Sequence, residues 1–469
     1  MTVSSLDAYR ALIASKRVEF QPTGLTRLPA LNSRLKPHQE HSTVFALERG
    51  RAGLFLDTGL GKSFCALEYG RVVVEHTNRP VLMLAPLAVS SQHEREAEKF
   101  SIDAKAIRDP SEITTPRVYI TNYERVHLFD LSIFGGVILD ESSILKALTG
   151  KTSRSLIDSF KQTPFRLACT ATPAPNDHVE LGNHSEFLGA LSATQMLTRF
   201  FLHDSADTGE WRMKGHAVKH FWEWVSSWSR CISKPSDVGF SDEGYILPDL
   251  LEHTHIVQIA RDANGETDRD GQGFLFRMPD TSATSIHKEK RISLSDRVAK
   301  VSDIAGSKVT DPWVIWCDTD YEADELARAL PDAVEVRGSM SPDEKEENLV
   351  AFSTGQARQI ITKPGLAGFG LNWQHCNNMA FVGLSFSYEN YYQAVRRCYR
   401  FGQTRPVNVH VVCADTEANI HSVVSRKAGD HDKMKTEMVS AMRRAMRIEH
   451  ETQTYNPTKR ASLPTWLSA

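Results

Sequence analysis

The chain is poor in cysteine: seven thiols in 469 residues, at 65, 169, 231, 317, 376, 398 and 413, with no CxxC pair and no zinc-like Cys/His spacing. That argues against a disulfide scaffold and a cysteine-built metal site, and reduced, mostly buried thiols are expected. Long apolar runs are also missing, which excludes an ordinary membrane-spanning helix and leaves no membrane partner to expect. Charge of one sign is missing too. Lys and Arg number 55 against 58 Asp and Glu, a formal net of −3, so any nucleic-acid surface must be local. The opening MTVSSLDAYRALIASKRVEF mixes charges into its apolar positions and has no signal-peptide core, so a cytoplasmic protein is expected. Internal repeats and long low-complexity segments are absent as well.

What is present begins with a phosphate-binding pattern. GLFLDTGLGKSFCALEYGRVVVE passes from an apolar strand at Leu54, Phe55 and Leu56, through a glycine turn, into a helix from Lys62. Gly59 and Gly61 allow backbone N–H groups to turn onto phosphate oxygens, Lys62 can reach the terminal phosphates, and Ser63 can ligate Mg²⁺. Leu56 stands where the commonest form of this loop has its first glycine. Downstream, GGVILDESSILK repeats the design of a buried strand ending in chemistry: Val137, Ile138 and Leu139 lead to Asp140 and Glu141. At the carboxyl end of a parallel strand, Asp140 would hold Mg²⁺ through water and Glu141 would polarise an attacking water.

VLMLAPLAVSSQ, RVYITNYERV and FRLACTATPAPND also read as buried strands followed by polar turns, and SQHEREAEKF reads as a helix. Alternation of this kind specifies an α/β domain with a parallel sheet. Late in the chain, QAVRRCYRFGQ (393 to 403) carries three arginines between two glutamines. On a helix, Arg397 and Arg400 share a face with Gln393, and Arg396 points elsewhere. Alone, such a cluster reads as a solvated charged face; it becomes functional if something negative is held opposite.

These segments, in this order, resemble the superfamily 2 helicases, and within them the Swi/Snf-type DNA translocases. LKPHQ (35 to 39) is similar to the glutamine motif, DTGLGKS to motif I, APLAVSSQ to motif Ia, ITNYE to motif Ib, LDESS to the DEAD/DEAH box and TATPAPNDHVEL to motif III. WVIWCDTDYEADELARAL is similar to motif IV, RGSMSPDEKEENLVAF to the segment after it, KPGLAGFGLNW to motif V and QAVRRCYRFGQ to motif VI. ELGNHSEFLGAL, FWEWVSSWSR and KPSDVGFSDEGY look most like compact helicases of bacteriophages and prophages, which implies a bacterial or phage-infected cytoplasm.

The resemblance implies two tandem RecA-like lobes closing on one ATP with Mg²⁺. It places ATP against Gln39, Thr58, Gly59, Leu60, Gly61, Lys62, Ser63, Gly370 and Asn372, the metal on Ser63 and Asp140, and catalysis on Lys62, Asp140, Glu141, Gln393, Arg397 and Arg400, the last two as arginine fingers. It implies DNA contacts from Pro86, Thr121, Tyr123, Gly338, Ser339 and Gly368, and an ATP-dependent duplex-DNA translocase with a possible protein partner in DNA processing. An RNA helicase and an ATP-gated assembly subunit with little motor activity are the alternatives. Four positions depart from the family: Ser142 and Ser143 end motif II, so its link to motif III would run through hydroxyls, while Arg396 and Tyr399 replace an acidic residue and a histidine of motif VI.

The expected organisation is a first lobe over 1–250 with a helical insertion at about 178–245, an interlobe connection over 251–292, a second lobe over 293–427 and a partly helical tail over 428–469. The first sheet should close at motif III. Trp211, Trp222, Trp224 and Trp228 are expected to pack a helical protrusion rather than stack on bases. In the tail, methionines at 434, 438, 442 and 446 are expected to pack on the second lobe, with Arg443, Arg444 and Arg447 beside them.

Overall fold

A computed structural model describes residues 20–86, 90–203, 211–258, 290–307, 310–367, 372–385, 387–415 and 418–453. The first lobe runs through β1 (Arg51–Leu56), β2 (Val81–Ala85), β3 (Ala104–Ala106), β4 (Val118–Asn122), β5 (Gly136–Asp140) and β6 (Phe165–Cys169). A short antiparallel hairpin, β7 (Phe201–His203) and β8 (Trp211–Met213), precedes β9 (Ser229–Ile232). The second lobe contains β10 (Leu250–Val257), β11 (Trp313–Trp316), β12 (Val334–Val336), β13 (Gln359–Thr362), β14 (Asn378–Val382) and β15 (Val407–Ala414).

Every pairing in the two large sheets is parallel, in the orders β3-β4-β2-β5-β6-β1-β9 and β10-β15-β14-β11-β13-β12. Parallel strands covered on both faces lose alternation and read as continuous apolar runs, as Val137-Ile138-Leu139 and Trp313-Val314-Ile315-Trp316 do. The second sheet has a core on each face: Val314 and Trp316 pack on one, Trp313 and Ile315 on the other. Burying each such side chain contributes about 1.5–3 kcal/mol, which fixes the strand ends that carry the polar residues. The seven cysteines are buried and unpaired in disulfides.

Four expectations need correction. The first sheet does not close at motif III, because β9, from within the expected insertion, adds to its edge beside β1. Trp222, Trp224 and Trp228 are packed, as expected, but in the first lobe's core and not in a protrusion, and Trp211 packs against that core. The second lobe starts before residue 293, since β10 pairs along its whole length with β15; the polar stretch 261–273 lies outside the described residues. The C-terminal helix spans Ala418–Gln453, beginning ahead of residue 428.

That helix also docks differently from the expectation. Its early turn puts Val424 into the second lobe's core, but Met434, Met438 and Met442 are buried in the core of the first, with Met446 against it. Arg443 binds protein: it donates to Asp237 Oδ1 at 3.1 Å and to the Ser236 carbonyl at 3.1 Å. A helix of this length, with a methionine every fourth residue, has the reach to leave one lobe and finish on the other. Among the described residues, no helix is long and apolar enough to cross a membrane.

Candidate active site

β6 lies between β1 and β5 in the sheet, so the residues after these three strands converge at one edge. After β1 the chain turns sharply. Gly59 and Gly61 take φ values of +89° and +85°, where a side chain is disfavoured. A Cβ on Gly61 would lie 2.0 Å from Gln39 Nε2, and one on Gly59 would lie 2.8 Å from Phe401 of the second lobe. Gln39 Nε2 donates to the Leu60 carbonyl at 3.0 Å, and His38 Nε2 lies 3.1 Å from the same oxygen. Leu60 thus shapes the turn through its backbone while its side chain is buried. Helix Lys62–Thr77 starts immediately after the turn, so its free N–H groups and dipole face the same space and favour an anion there.

After β5, Asp140 and Glu141 separate in environment. Asp140 Oδ2 lies 2.8 Å from His93 Nε2, a residue of helix Ser90–Lys99. Burial opposes the Asp140 charge, but His93 and Lys62 outweigh it and hold the carboxyl below the usual aspartate range. Glu141 sits in the left-handed region at φ 54°. Its Oε1 accepts from Thr170 Oγ1 at 2.8 Å and from Gln393 Nε2 at 3.1 Å, and its Oε2 lies 3.9 Å from Lys62 Nζ. Burial raises its pKa, with Lys62 opposing and Asp140 adding to the rise. Two adjacent carboxyls pushed in opposite directions are suited to different tasks, one as a standing charge and one as a proton acceptor.

Gln393 ends this list because the second lobe faces the first. Helix Tyr388–Val395 begins at Ser387, whose side chain accepts from the Asn390 N–H. It ends before Arg397 and Arg400, which lie in the turns that follow. Arg397 donates to the Gln393 carbonyl and to Gln393 Oε1, each at 3.0 Å. Burial disfavours the guanidinium charge of Arg397, and Arg400 beside it adds to the effect, bringing it down to about 9. Arg400 is brought by burial to about 10. At 3% exposure Arg397 is not on a solvated face. Two desolvated cations side by side are an arrangement that a polyanion between them would stabilise.

Between the lobes lies a cleft of about 400 Å³, within the size range of small-molecule sites. Gln39, Thr58, Gly59, Gly61, Lys62, Ser63, Asp140 and Glu141 line it from one side, and Asn372, Gln393, Arg397 and Arg400 from the other. Gly370 and Gly368 lie outside the described residues. The donor set fits a nucleoside triphosphate: a glycine turn and helix start for phosphates, a hydroxyl and a carboxylate for a hard cation, and three cations for charge.

The residues expected to meet DNA are scattered. Pro86 lines the cleft between the lobes. Thr121 is buried, and the half-buried Tyr123 donates its hydroxyl to the Asp140 carbonyl at 2.6 Å. Gly338 and Ser339 form an exposed turn after β12. Ser142 and Ser143 do not link motif II to motif III: Ser142 Oγ lies 3.2 Å from His184 Nε2, Ser143 Oγ is within 3.5 Å of the Glu141 carbonyl, and the link runs through Thr170. Residue-by-residue reading missed His93, Thr170 and Asp57. The threonine of TATP was a usable signal, as was the first residue of DTGLGKS.

Comparison with known proteins agrees with this geometry. Residues 296–402 match the family described as Helicase conserved C-terminal domain. A segment of 166 residues, 33% of this chain, is 29% identical to the "SWI/SNF-related matrix-associated actin-dependent regulator of chromatin subfamily A-like protein 1 homolog" of Caenorhabditis elegans, covering 24% of that protein. These matches make part of the chain similar to helicases, among them a SWI/SNF-related protein. The chain is also 31% identical over 105 residues, 22% of its length, to eukaryotic initiation factor 4A of Dictyostelium discoideum, covering 26% of that protein. The matched segments therefore span about a quarter of each of these relatives. A solved structure, the "Sulfolobus solfataricus SWI2/SNF2 ATPase core in complex with dsDNA", aligns over 88% of this chain and 96% of its own chain at 18% identity, with a TM-score of 0.41.

Proposed function

We propose that this chain is a Swi/Snf-type superfamily 2 motor, an ATP-driven translocase on double-stranded DNA that hydrolyses ATP between its lobes when nucleic acid is bound. The observation that carries the reading is the contact of both lobes with one carboxylate: Glu141 accepts from Thr170 of the first lobe and Gln393 of the second, inside the cleft that also holds Lys62, Arg397 and Arg400. In this reading the backbone around Gly59 and Gly61 and the Lys62 ammonium bind the phosphates. Ser63 and Asp140 would hold Mg²⁺, which when bound neutralises phosphate charge. Glu141, held by its two donors, orients a water and takes its proton. Arg397 and Arg400 neutralise charge on the phosphoryl group as it transfers.

The choice of DNA rests on the Swi/Snf-like spacing of QAVRRCYRFGQ and on the match to a SWI/SNF-related protein. Contacts to backbone phosphates would make binding salt-sensitive and nearly sequence-independent. The assay is ATP hydrolysis by the full chain with duplex DNA, single-stranded DNA, branched DNA and RNA side by side. Duplex or branched DNA should stimulate most. Stimulation by RNA alone would replace the substrate, and no stimulation by any polymer would leave the assembly-subunit reading.

A further inference from the structure

Asp57, the first residue of the phosphate turn, is the hub of a buried ion cluster drawn from three parts of the chain. Its Oδ2 accepts from Arg396 at 3.0 Å and from Lys435 Nζ at 3.0 Å. Its Oδ1 accepts from the Tyr392 hydroxyl and, at 2.8 Å, from the Thr58 N–H. Lys435 also donates to the Tyr392 hydroxyl at 3.2 Å. Arg396 and Tyr392 belong to the finger segment, and Lys435 to the C-terminal helix. Asp57 itself is anchored by its N–H to the Ile232 carbonyl of β9 at 2.9 Å.

The fit between the two helices is specific. Tyr388 and Tyr392, one turn apart, meet His431 and Lys435, also one turn apart: Tyr388 Oη lies 3.3 Å from His431 Nδ1, and Lys435 Nζ stands 5.2 Å from the centre of the Tyr392 ring. The adjacent face of the same helix is fixed to the first lobe by Met434 and Met438. The C-terminal helix is thus wedged between the finger helix and the first lobe, with its ammonium on the residue that opens the phosphate turn. Two cations share one carboxylate, which leaves the cluster one positive charge in excess beside that turn.

We propose that Lys435 and Arg396 are positioning residues that, by gripping Asp57 together with Tyr392, set the finger segment in register over the phosphate turn, so that the C-terminal helix is part of the hydrolytic apparatus. The substitution of Arg396 for the family's acidic residue then has a cause, since an acid there would repel Asp57. The inference rests on the hydrolysis reading above. A finger displaced by an ångström leaves nucleotide binding largely intact but weakens the transition state.

The experiment compares Lys435→Met, Arg396→Met, Lys435→Arg and, as a control on the exposed side of the same helix, Lys433→Met, all in the full chain. Expected for Lys435→Met and Arg396→Met are a fall in kcat of about 10²-fold with the KM for ATP within about threefold, and faster hydrogen exchange at the amides of residues 57–63 without nucleotide. Lys435→Arg should recover most of the rate, and Lys433→Met should match the parent. Parental kcat and exchange in both Met variants at Lys435 and Arg396, or an equal loss in Lys433→Met, would overturn the proposal. If the parent itself hydrolyses no ATP, the hydrolysis reading fails separately, and exchange at 57–63 still decides whether the cluster holds the turn.

Discussion

The two lobes present their chemistry in different ways. The first delivers Lys62, Asp140 and Glu141 from the ends of buried parallel strands, so the sheet sets where they stand. The second delivers Gln393, Arg397 and Arg400 from a short helix and the turns after it, and their positions depend on what that helix packs against. A cradle built on strand ends takes its frame from the sheet, although the second lobe and the last helix also hold its turn at Asp57. A cationic partner built on a docked helix can be moved as a unit, which is what a site that opens and closes needs.

The sharpest break in the comparison comes from the cradle. Lys62→Ala or Glu141→Gln should lower polymer-stimulated ATP hydrolysis by about 10³-fold or more while the thermal unfolding midpoint stays near that of the parent; undiminished turnover in either variant would refute the assigned site. A smaller effect should come from the docked side. Met438→Ala removes a side chain buried in the first lobe's core and should cost about 2–5 kcal/mol, read as a lowered midpoint of denaturant unfolding. A midpoint equal to the parent's would mean that the C-terminal helix does not dock on the first lobe in solution.

The smallest effect concerns acid stability. Burial opposes the Asp57 charge, yet Arg396 and Lys435 hold its carboxyl well below the usual aspartate range. Since the folded value is depressed, this stabilisation is fully present above the unfolded aspartate value near ~4 and is lost as the pH falls below it toward the folded value. Asp57→Asn should flatten that part of the melting-temperature profile by a few degrees, measured between neutral pH and the lowest pH at which the parent still folds. An unchanged slope would remove Asp57 from the ion cluster.

The same contrast explains what could be read from the sequence. Lys62, Asp140 and Glu141 follow apolar strands within a few residues, so their setting is local. In the second lobe β11, β13, β14 and β15 were legible from their apolar residues, but β12, only three residues long, was not, nor was β10, whose residues alternate between half-buried and exposed and include His253 and His255. β9 was hidden behind the tryptophan-rich helix Val218–Trp228, which reads as the end of a protrusion. Partners across the sheet were not legible: His93 and Asp140 are 47 residues apart, Tyr392 and Asp57 335, and Lys435 and Asp57 378. Those pairings depend on strand order and on the path of the last helix, neither of which is encoded in a short window. The methionine stripe announced a packed face, and its spacing carried no information about which lobe it would meet.

The account stands on the two lobes acting on one triphosphate, and Arg400→Ala tests that most directly when ATP affinity and polymer-stimulated turnover are measured on the same preparation. The account predicts ATP binding close to the parent with turnover reduced about 10³-fold or more. Turnover at the parental rate would contradict it and return the arginine stretch to a structural role.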